Sequence, residues 1–259
     1  MQVYRDMDIG TAKPSRQDQA RVPHSMIDLV DPSVEYSVRE FQQQARAVID
    51  GAEQPVLLVG GSGLHMRAVI DPLEFPPTDD ALRSELEATE AEDLVAELLE
   101  ADPDAGANVD LANTRRVTRA VEVYRLTGRT PSMGADDPAR QAVARYEPLY
   151  PCRIVGLDPG DELAARIDAR LDDMLARGFY DEVAGLIGRM GRTASQAVGY
   201  SHLAAVVAGE STYDEAVAAI RKATMDLARR QRSWFRRDPR VHWLNPLRDD
   251  PVAAVMELV

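Results

Sequence analysis

The chain has 259 residues, 45% hydrophobic and 28% charged, which is enough apolar mass for one large domain or a domain carrying an insertion. No apolar run approaches the roughly 18 residues of a membrane span, and no basic stretch leads into a short apolar one, so neither a transmembrane helix nor a secretory signal is expected. A single cysteine, Cys152, and four scattered histidines exclude an internal disulfide and a His/Cys metal cage, and a cytoplasmic setting follows.

Net charge is −13, which taken as a whole argues against a polyanionic partner. Distribution qualifies this. Arg115, Arg116 and Arg119 stand together, and Arg229, Arg230, Arg232, Arg236, Arg237 and Arg240 crowd a later segment whose only acid is Asp238.

In chain order, MQVYRDMDIGTAKP reads as the tail of a buried strand, Met1 to Tyr4, running into a loop rich in Asp and Gly. Asp6, Asp8, Thr11 and Lys13 offer carboxylates, a hydroxyl and an ammonium there, as a functional loop or as a solvated turn. Ser37 to Asp50 reads as a helix with Ser37 as its N-cap and Phe41, Ala45, Val48 and Ile49 on one face. Pro55 to Val59 is a short apolar run directly before Gly60-Gly61-Ser62-Gly63, after which helical spacing resumes: strand, tight turn, helix. That cadence belongs to an α/β sheet. The glycines admit backbone amides and the Ser62 hydroxyl close to a ligand, although a tight turn alone would require the same residues. Neither a GxGxxG fingerprint nor a GxxxxGK[ST] phosphate loop is present.

Prolines between Pro72 and Pro77 break the pattern, and residues 76–145 read as a helical insertion between core segments 1–75 and 146–259. Within it, Asn113 to Thr127 forms an amphipathic helix with the stripe Val117, Ala120, Val121 and Tyr124. Arg115, Arg116 and Arg119 lie to its side, placed to neutralise phosphates or to pair with nearby acids. A buried strand returns in PCRIVGLDP, Pro151 to Pro159, followed by helices over 160–190 and 211–238. The segment RRQRSWFRRDPRVHWL interleaves Trp234, Phe235 and Trp243 with arginines, a combination suited to stacked bases and phosphates. For Trp234, anchoring a helix on the core is the preferred reading.

In order, the blocks MQVYRDMDIGTAKP, VPHSMIDLVDPSVEYSVREFQQQA, PVLLVGGSGLHMRA, RRVTRAVEVYRLTG, VGLDP, TASQAVGY and RRQRSWFRRDPRVHWL resemble the tRNA dimethylallyltransferase (isopentenyltransferase) family nearly from end to end. The resemblance implies an α/β fold with a P-loop NTPase-like parallel-sheet core, here N-terminally truncated, and an inserted all-helical domain that clamps a tRNA anticodon stem-loop. It implies transfer of a dimethylallyl group from dimethylallyl diphosphate to the exocyclic amine of the adenosine 3′-adjacent to the anticodon, in tRNAs reading codons that begin with U. Mg²⁺, extrusion of the target base and a monomeric state come with it.

Residue by residue, the resemblance carries Gln2 onto a glutamine that contacts the flipped adenine, with Met1 beside it as a tRNA contact. Ser62 stands at the threonine of a GGTGLY motif near the base and channel, the one candidate for a catalytic role, and also a tRNA contact. His65 replaces that motif's tyrosine, which puts the channel's shape in question. Arg83 falls where an arginine touches tRNA at the mouth of the insertion, and Arg115, Arg116, Val117, Thr118 and Arg119 match a tRNA-contact stretch. Ala112-Asn113 departs from the usual Asn-Asp before that stretch. Lys13, Arg230 and Arg236 are candidates for phosphate or tRNA, within a late block that matches at Arg230, Gln231, Trp234, Phe235 and Arg236; no metal ligand is carried over. The family's GPTxSGKT loop and the Asp of its D-S-x-Q-V-Y motif are not in the chain. The resemblance therefore implies a late-start or fragment form without measurable prenyl transfer, with a catalytically inactive tRNA-binding remnant as the alternative. A small-molecule kinase of related fold would lack its phosphate loop equally and leaves the arginine and aromatic blocks unexplained.

Overall fold

A computed structural model describes residues 1–133 and 137–258; residues 134–136 of the expected insertion lie outside the described residues. The chain divides into two units, Met1–Ile70 with Tyr150–Val259, and Asp71–Leu149. The first unit opens with helices α1 (Arg16–Arg21), α2 (Val38–Asp50) and α3 (Gly63–Ile70). The second holds α4 (Asp80–Glu87), α5 (Ala91–Ala101), α6 (Thr114–Thr127) and α7 (Pro138–Ala144). The first unit resumes with strand β1 (Ile154–Leu157), helices α8 (Leu163–Ala176), α9 (Phe179–Leu186), α10 (Arg192–Ser195), α11 (Tyr200–Val207) and α12 (Tyr213–Phe235), strand β2 (Val241–Leu244) and α13 (Pro251–Leu258).

Local chemistry sets several of these boundaries. Ser37 and Glu40 form a reciprocal capping box at the start of α2, each side chain accepting the other's backbone N–H at 3.2 and 2.8 Å, which satisfies two otherwise orphan donors. Ala45 is buried on the expected face, with Phe41 and Ile49 half-buried beside it, while Val48 turns outward. The helix expected across 160–190 is split by Gly178, whose φ of +96° is left-handed backbone that stops α8 and starts α9.

The sheet is smaller than the sequence suggests. Strand β1 pairs in parallel with β2, from Ile154 opposite Val241 to Leu157 opposite Leu244. The basic-aromatic character of the β2 segment masks its alternation, and pairing with β1 is what makes it a strand. Two expected strands are corrected. Met1 to Tyr4 forms a turn whose one ladder contact among the described residues is a parallel bridge between Tyr4 and Val30, although Val3 and Tyr4 are buried as expected. Pro55 to Val59 has no ladder partner among the described residues; Leu57 and Val59 are 80% and 81% exposed. Apolar composition favours a strand only where a neighbouring edge supplies its hydrogen bonds.

The core of the first unit gathers Tyr4 and Met7 with Leu171, Phe179, Val183, Tyr200, Leu203 and Ile220, drawing the opening loop, α8, α9, α11 and α12 together. In the second unit α4 and α5 pack on α6 through Leu86, Leu94, Leu98, Val117 and Val121. Full burial of each such side chain contributes about 1.5–3 kcal/mol.

Candidate functional site

The opening loop is held from within. Lys13, with a side chain only 3% exposed, donates to the Tyr4 carbonyl at 2.8 Å and to Asp8 and Asp28 at 2.5 Å each. All three ammonium hydrogens are used. The residue expected to meet phosphate or tRNA is thus a rivet between the opening loop and the segment around Asp28. Glu182 on α9 accepts the backbone amides of Asp8, Ile9 and Gly10 at 2.9, 2.7 and 3.1 Å and the Tyr200 hydroxyl at 2.6 Å. Burial, and then the hydrogen bond to Glu182, push the Tyr200 phenol far above its usual range. On the outer side Arg189 bridges Asp6 and Asp31 at 3.0 Å each. Hydrogen bonds from the Ser33 amide and hydroxyl, then Arg189, hold the Asp31 carboxyl down at about 2.

Gln2 rests on this loop. Its Nε2 donates to the carbonyls of Thr11 and Ala12 at 3.1 and 3.0 Å. Both amide hydrogens are thereby engaged, and Oε1 has no partner among the described residues. Met1 beside it is exposed.

The glycine turn meets α12. A Cβ at Gly61 would collide with the Gln231 side chain and one at Gly63 with the Trp234 ring. Position 63 is held to glycine by the Trp234 ring, whereas at position 61 the neighbour is the movable end of Gln231. Trp234 therefore anchors α12 on the turn rather than on the apolar core, and it remains 42% exposed. Between them, the Ser62 hydroxyl lies 2.8 Å from Nδ1 of His65, whose ring stands edge-on to Phe41 at a centroid distance of 5.0 Å. Burial, then the positive Met1 amino group, lowers the His65 pKa.

Along α12 the arginines differ. Arg232 donates to Asp158 and to the Gly160 carbonyl, and Arg236 sits 3.7 Å from the same carboxylate. Burial acts to raise the Asp158 pKa, but the Gly160 amide and Arg232 outweigh it and hold the carboxyl below its usual range. Arg229 pairs with Asp226 at 3.2 Å. Arg230 and Arg237 are exposed, with no side-chain partner among the described residues.

In the second unit the expected tRNA stretch on α6 divides in two. Arg115 and Arg116 are exposed without a side-chain partner among the described residues. Val117 and Thr118 are buried, at 1% and 7% exposure, so their side chains serve the helical core. Arg119 donates to Glu122 at 2.7 Å and to the carbonyls of Pro77 and Pro76 at 3.0 and 2.7 Å. Arg83 meets the same carboxylate at 2.5 Å, and the Asp79 amide donates to it at 3.1 Å. Glu122 is completely buried; burial acts to raise its pKa, and Arg83, Arg119 and the Asp79 amide together more than offset this and keep it ionised. The polar centre of this unit, Glu122, is a residue that the sequence reading does not single out, because its partners Arg83 and the Asp79 amide lie 39 and 43 residues away. Glu182 was equally hidden, because it acts on amides 172 to 174 residues away.

The sequence pattern of IPP transferases matches residues 2–238. The chain belongs to the IPP transferase family. It is 45% identical over 95% of its length to a tRNA dimethylallyltransferase of Streptomyces avermitilis, of which it spans 80%. Among solved structures it resembles the tRNA isopentenylpyrophosphate transferase of Bacillus halodurans, with a TM-score of 0.67 and 34% identity over 99% of this chain and 82% of that one. The tRNA delta(2)-isopentenylpyrophosphate transferase of Staphylococcus epidermidis is similar at a TM-score of 0.68 and 28% identity, over 100% of this chain and 88% of that one. As an IPP transferase the protein has a P-loop NTPase-like α/β core, of which β1 and β2 are part, with an inserted helical unit.

The Mg²⁺ implied by the resemblance does not fit a ligand set here. Among the described residues no group of three His, Cys, Asp or Glu could hold a metal ion. The carboxylates around the opening loop are already committed, Asp8 and Asp28 to Lys13, Asp6 and Asp31 to Arg189. None of the described helices is long and apolar enough to cross a membrane.

Proposed function

We propose that the protein is a cytoplasmic, monomeric tRNA dimethylallyltransferase. It joins the first carbon of dimethylallyl diphosphate to the exocyclic amine of the adenosine 3′-adjacent to the anticodon. In that step the N–C bond forms as the C–O bond breaks, the diphosphate leaves as the anion, and the proton of the alkylated amine passes to solvent water. Gln2 contacts the extruded adenine, Ser62 borders the reacting amine, and Arg230 with Arg236 draws phosphate. Arg115 and Arg116 hold the stem-loop backbone, positioning it without reading its bases. Mg²⁺, which favours substrate phosphates and water over an all-protein cage, would arrive with the diphosphate and is assigned no protein ligand.

The observation that carries this reading is the seating of Gln231 and Trp234 on Gly61 and Gly63, because it joins the arginine-rich helix to the turn that bears Ser62. Incubation with tRNA, dimethylallyl diphosphate and Mg²⁺, followed by mass spectrometry of the digested nucleosides, tests it. A dimethylallyl adenosine that is lost in Ser62→Ala supports the enzyme and overturns the expectation that this chain, without the GPTxSGKT loop and the motif Asp, gives no measurable transfer. Salt-sensitive tRNA binding without product would instead favour the binding remnant, and absence of both would refute the assignment.

A further inference from the structure

A glutamine amide ordinarily offers both donors and an acceptor, and which end is which must be inferred from its neighbours. At Gln2 the neighbours settle the matter. One terminal atom lies within 3.1 Å of two backbone carbonyl oxygens, those of Thr11 and Ala12. Carbonyls only accept, so that atom is the nitrogen. Both its hydrogens are engaged, and the side chain shows its surroundings a single oxygen.

That polarity depends on the backbone of residues 6–12, which is not a relaxed turn. Ala12 has a φ of +50° and Asp6 a φ of +64°, both in the left-handed region that non-glycine residues avoid. Glu182 is what holds the segment, binding three successive amides with its carboxylate while the Tyr200 hydroxyl fixes the carboxylate in turn. Gly10 lies so close to the Phe179–Tyr200 ring pair that a Cβ would enter both rings. The clasp reaches from α9 and α11 through the amides of 8–10 to the carbonyls of 11 and 12.

We infer that Glu182, with Tyr200, is a positioning residue for base selection, holding Gln2 as an acceptor-only side chain that admits an amino purine and rejects an oxo purine. This rests on the proposed contact between Gln2 and the target base. An adenine carries an exocyclic N–H donor where an oxo purine carries an acceptor oxygen, and two facing acceptors leave both unpaired. Glu182 itself touches no substrate.

The test is fluorescence anisotropy of the full chain with two anticodon stem-loops that differ only in adenosine or inosine at the target position. The wild type should prefer adenosine by about tenfold or more, and Gln2→Leu should bring that ratio close to one. Glu182→Gln, which sets an NH₂ group against backbone donors, should cut the ratio to about threefold or less. The salt slope set by the arginines should not move. Tyr200→Phe, which keeps the ring packing, should give an intermediate ratio, and it carries the test if Glu182→Gln does not fold. No preference in the wild type and no effect of Gln2→Leu would overturn the Gln2 contact and this inference with it. A ratio lost in Gln2→Leu but fully kept in folded Glu182→Gln, or in Tyr200→Phe should Glu182→Gln not fold, would overturn the role of Glu182 alone.

Discussion

The Ser62 hydroxyl and the His65 imidazole form a hydrogen bond of 2.8 Å across one turn at the start of α3. The serine hydroxyl has no other partner among the described residues, and a neutral ring meets it through Nδ1. Burial and the Met1 amino charge favour that neutral form. Because the folded pKa lies below the ordinary 6.5, the folded state binds fewer protons than the unfolded one. The associated stability is complete above pH 6.5 and declines as pH falls from there through the folded pKa. NMR titration should find His65 changing charge below 6.5. Melting curves of His65→Phe should be flatter than the wild type's across the same pH window.

The glycine turn permits a graded test of the seating of α12. Gly63→Ala drives a methyl group into the Trp234 ring and should destabilise the protein by about 1–3 kcal/mol in urea titrations, the usual range for overpacking. Gly61→Ala meets the flexible Gln231 amide, which can swing aside, and should cost less. A Cβ at Gly60 would have nothing within 4 Å of it, so Gly60→Ala should leave the midpoint nearly unchanged.

Glu122 should govern the stability of the helical unit. Glu122→Leu leaves two guanidinium groups and the Asp79 amide without their shared acceptor. Arg83 and Arg119 are 29% and 30% exposed, so water compensates them partly and a loss of about 2–3 kcal/mol is expected, at or below the range for a fully buried pair. Its folded pKa lies below the ordinary 4.5, so this contribution is present above about that pH and is lost as pH falls through the folded value. Acid titration followed by helical circular dichroism of wild type against Glu122→Gln would show it.

The arginines should separate by what they already bind. Arg115→Ala and Arg116→Ala should each weaken stem-loop binding alike for all sequences and reduce the logarithmic salt slope by about one. Lys13→Ala should lower the melting temperature and leave that slope unchanged, because its charge is spent on Tyr4, Asp8 and Asp28. A salt slope that moves with Lys13 and not with Arg115 would reverse this assignment.

Local signals carried much of the architecture. The Ser37 cap, the apolar spacing of α2 and α6, the glycine turn and the β1 run are written in neighbouring residues, since helices and turns are decided within a few positions of each other. Long-range partners were not legible. Nothing near Val241 announced a strand until β1 lay beside it, and nothing near Pro55 revealed that its apolar run would find no ladder. The same holds for charge: the sequence leaves Arg119 to meet phosphate or a nearby acid, and only the fold brings Glu122 to it and to Arg83, and Asp28 to Lys13.

The ordered motif blocks were thus enough for the resemblance to the family, and local spacing was enough for helices α2 and α6, because these are written along the chain. Which arginines remain free, which end of Gln2 faces outward, and that Glu182 holds the loop beneath it were settled by tertiary contacts alone. A hydrogen bond or ion pair spends a group's capacity on whichever partner folding brings within about 3 Å, and that partner's distance along the chain leaves no trace in the local pattern.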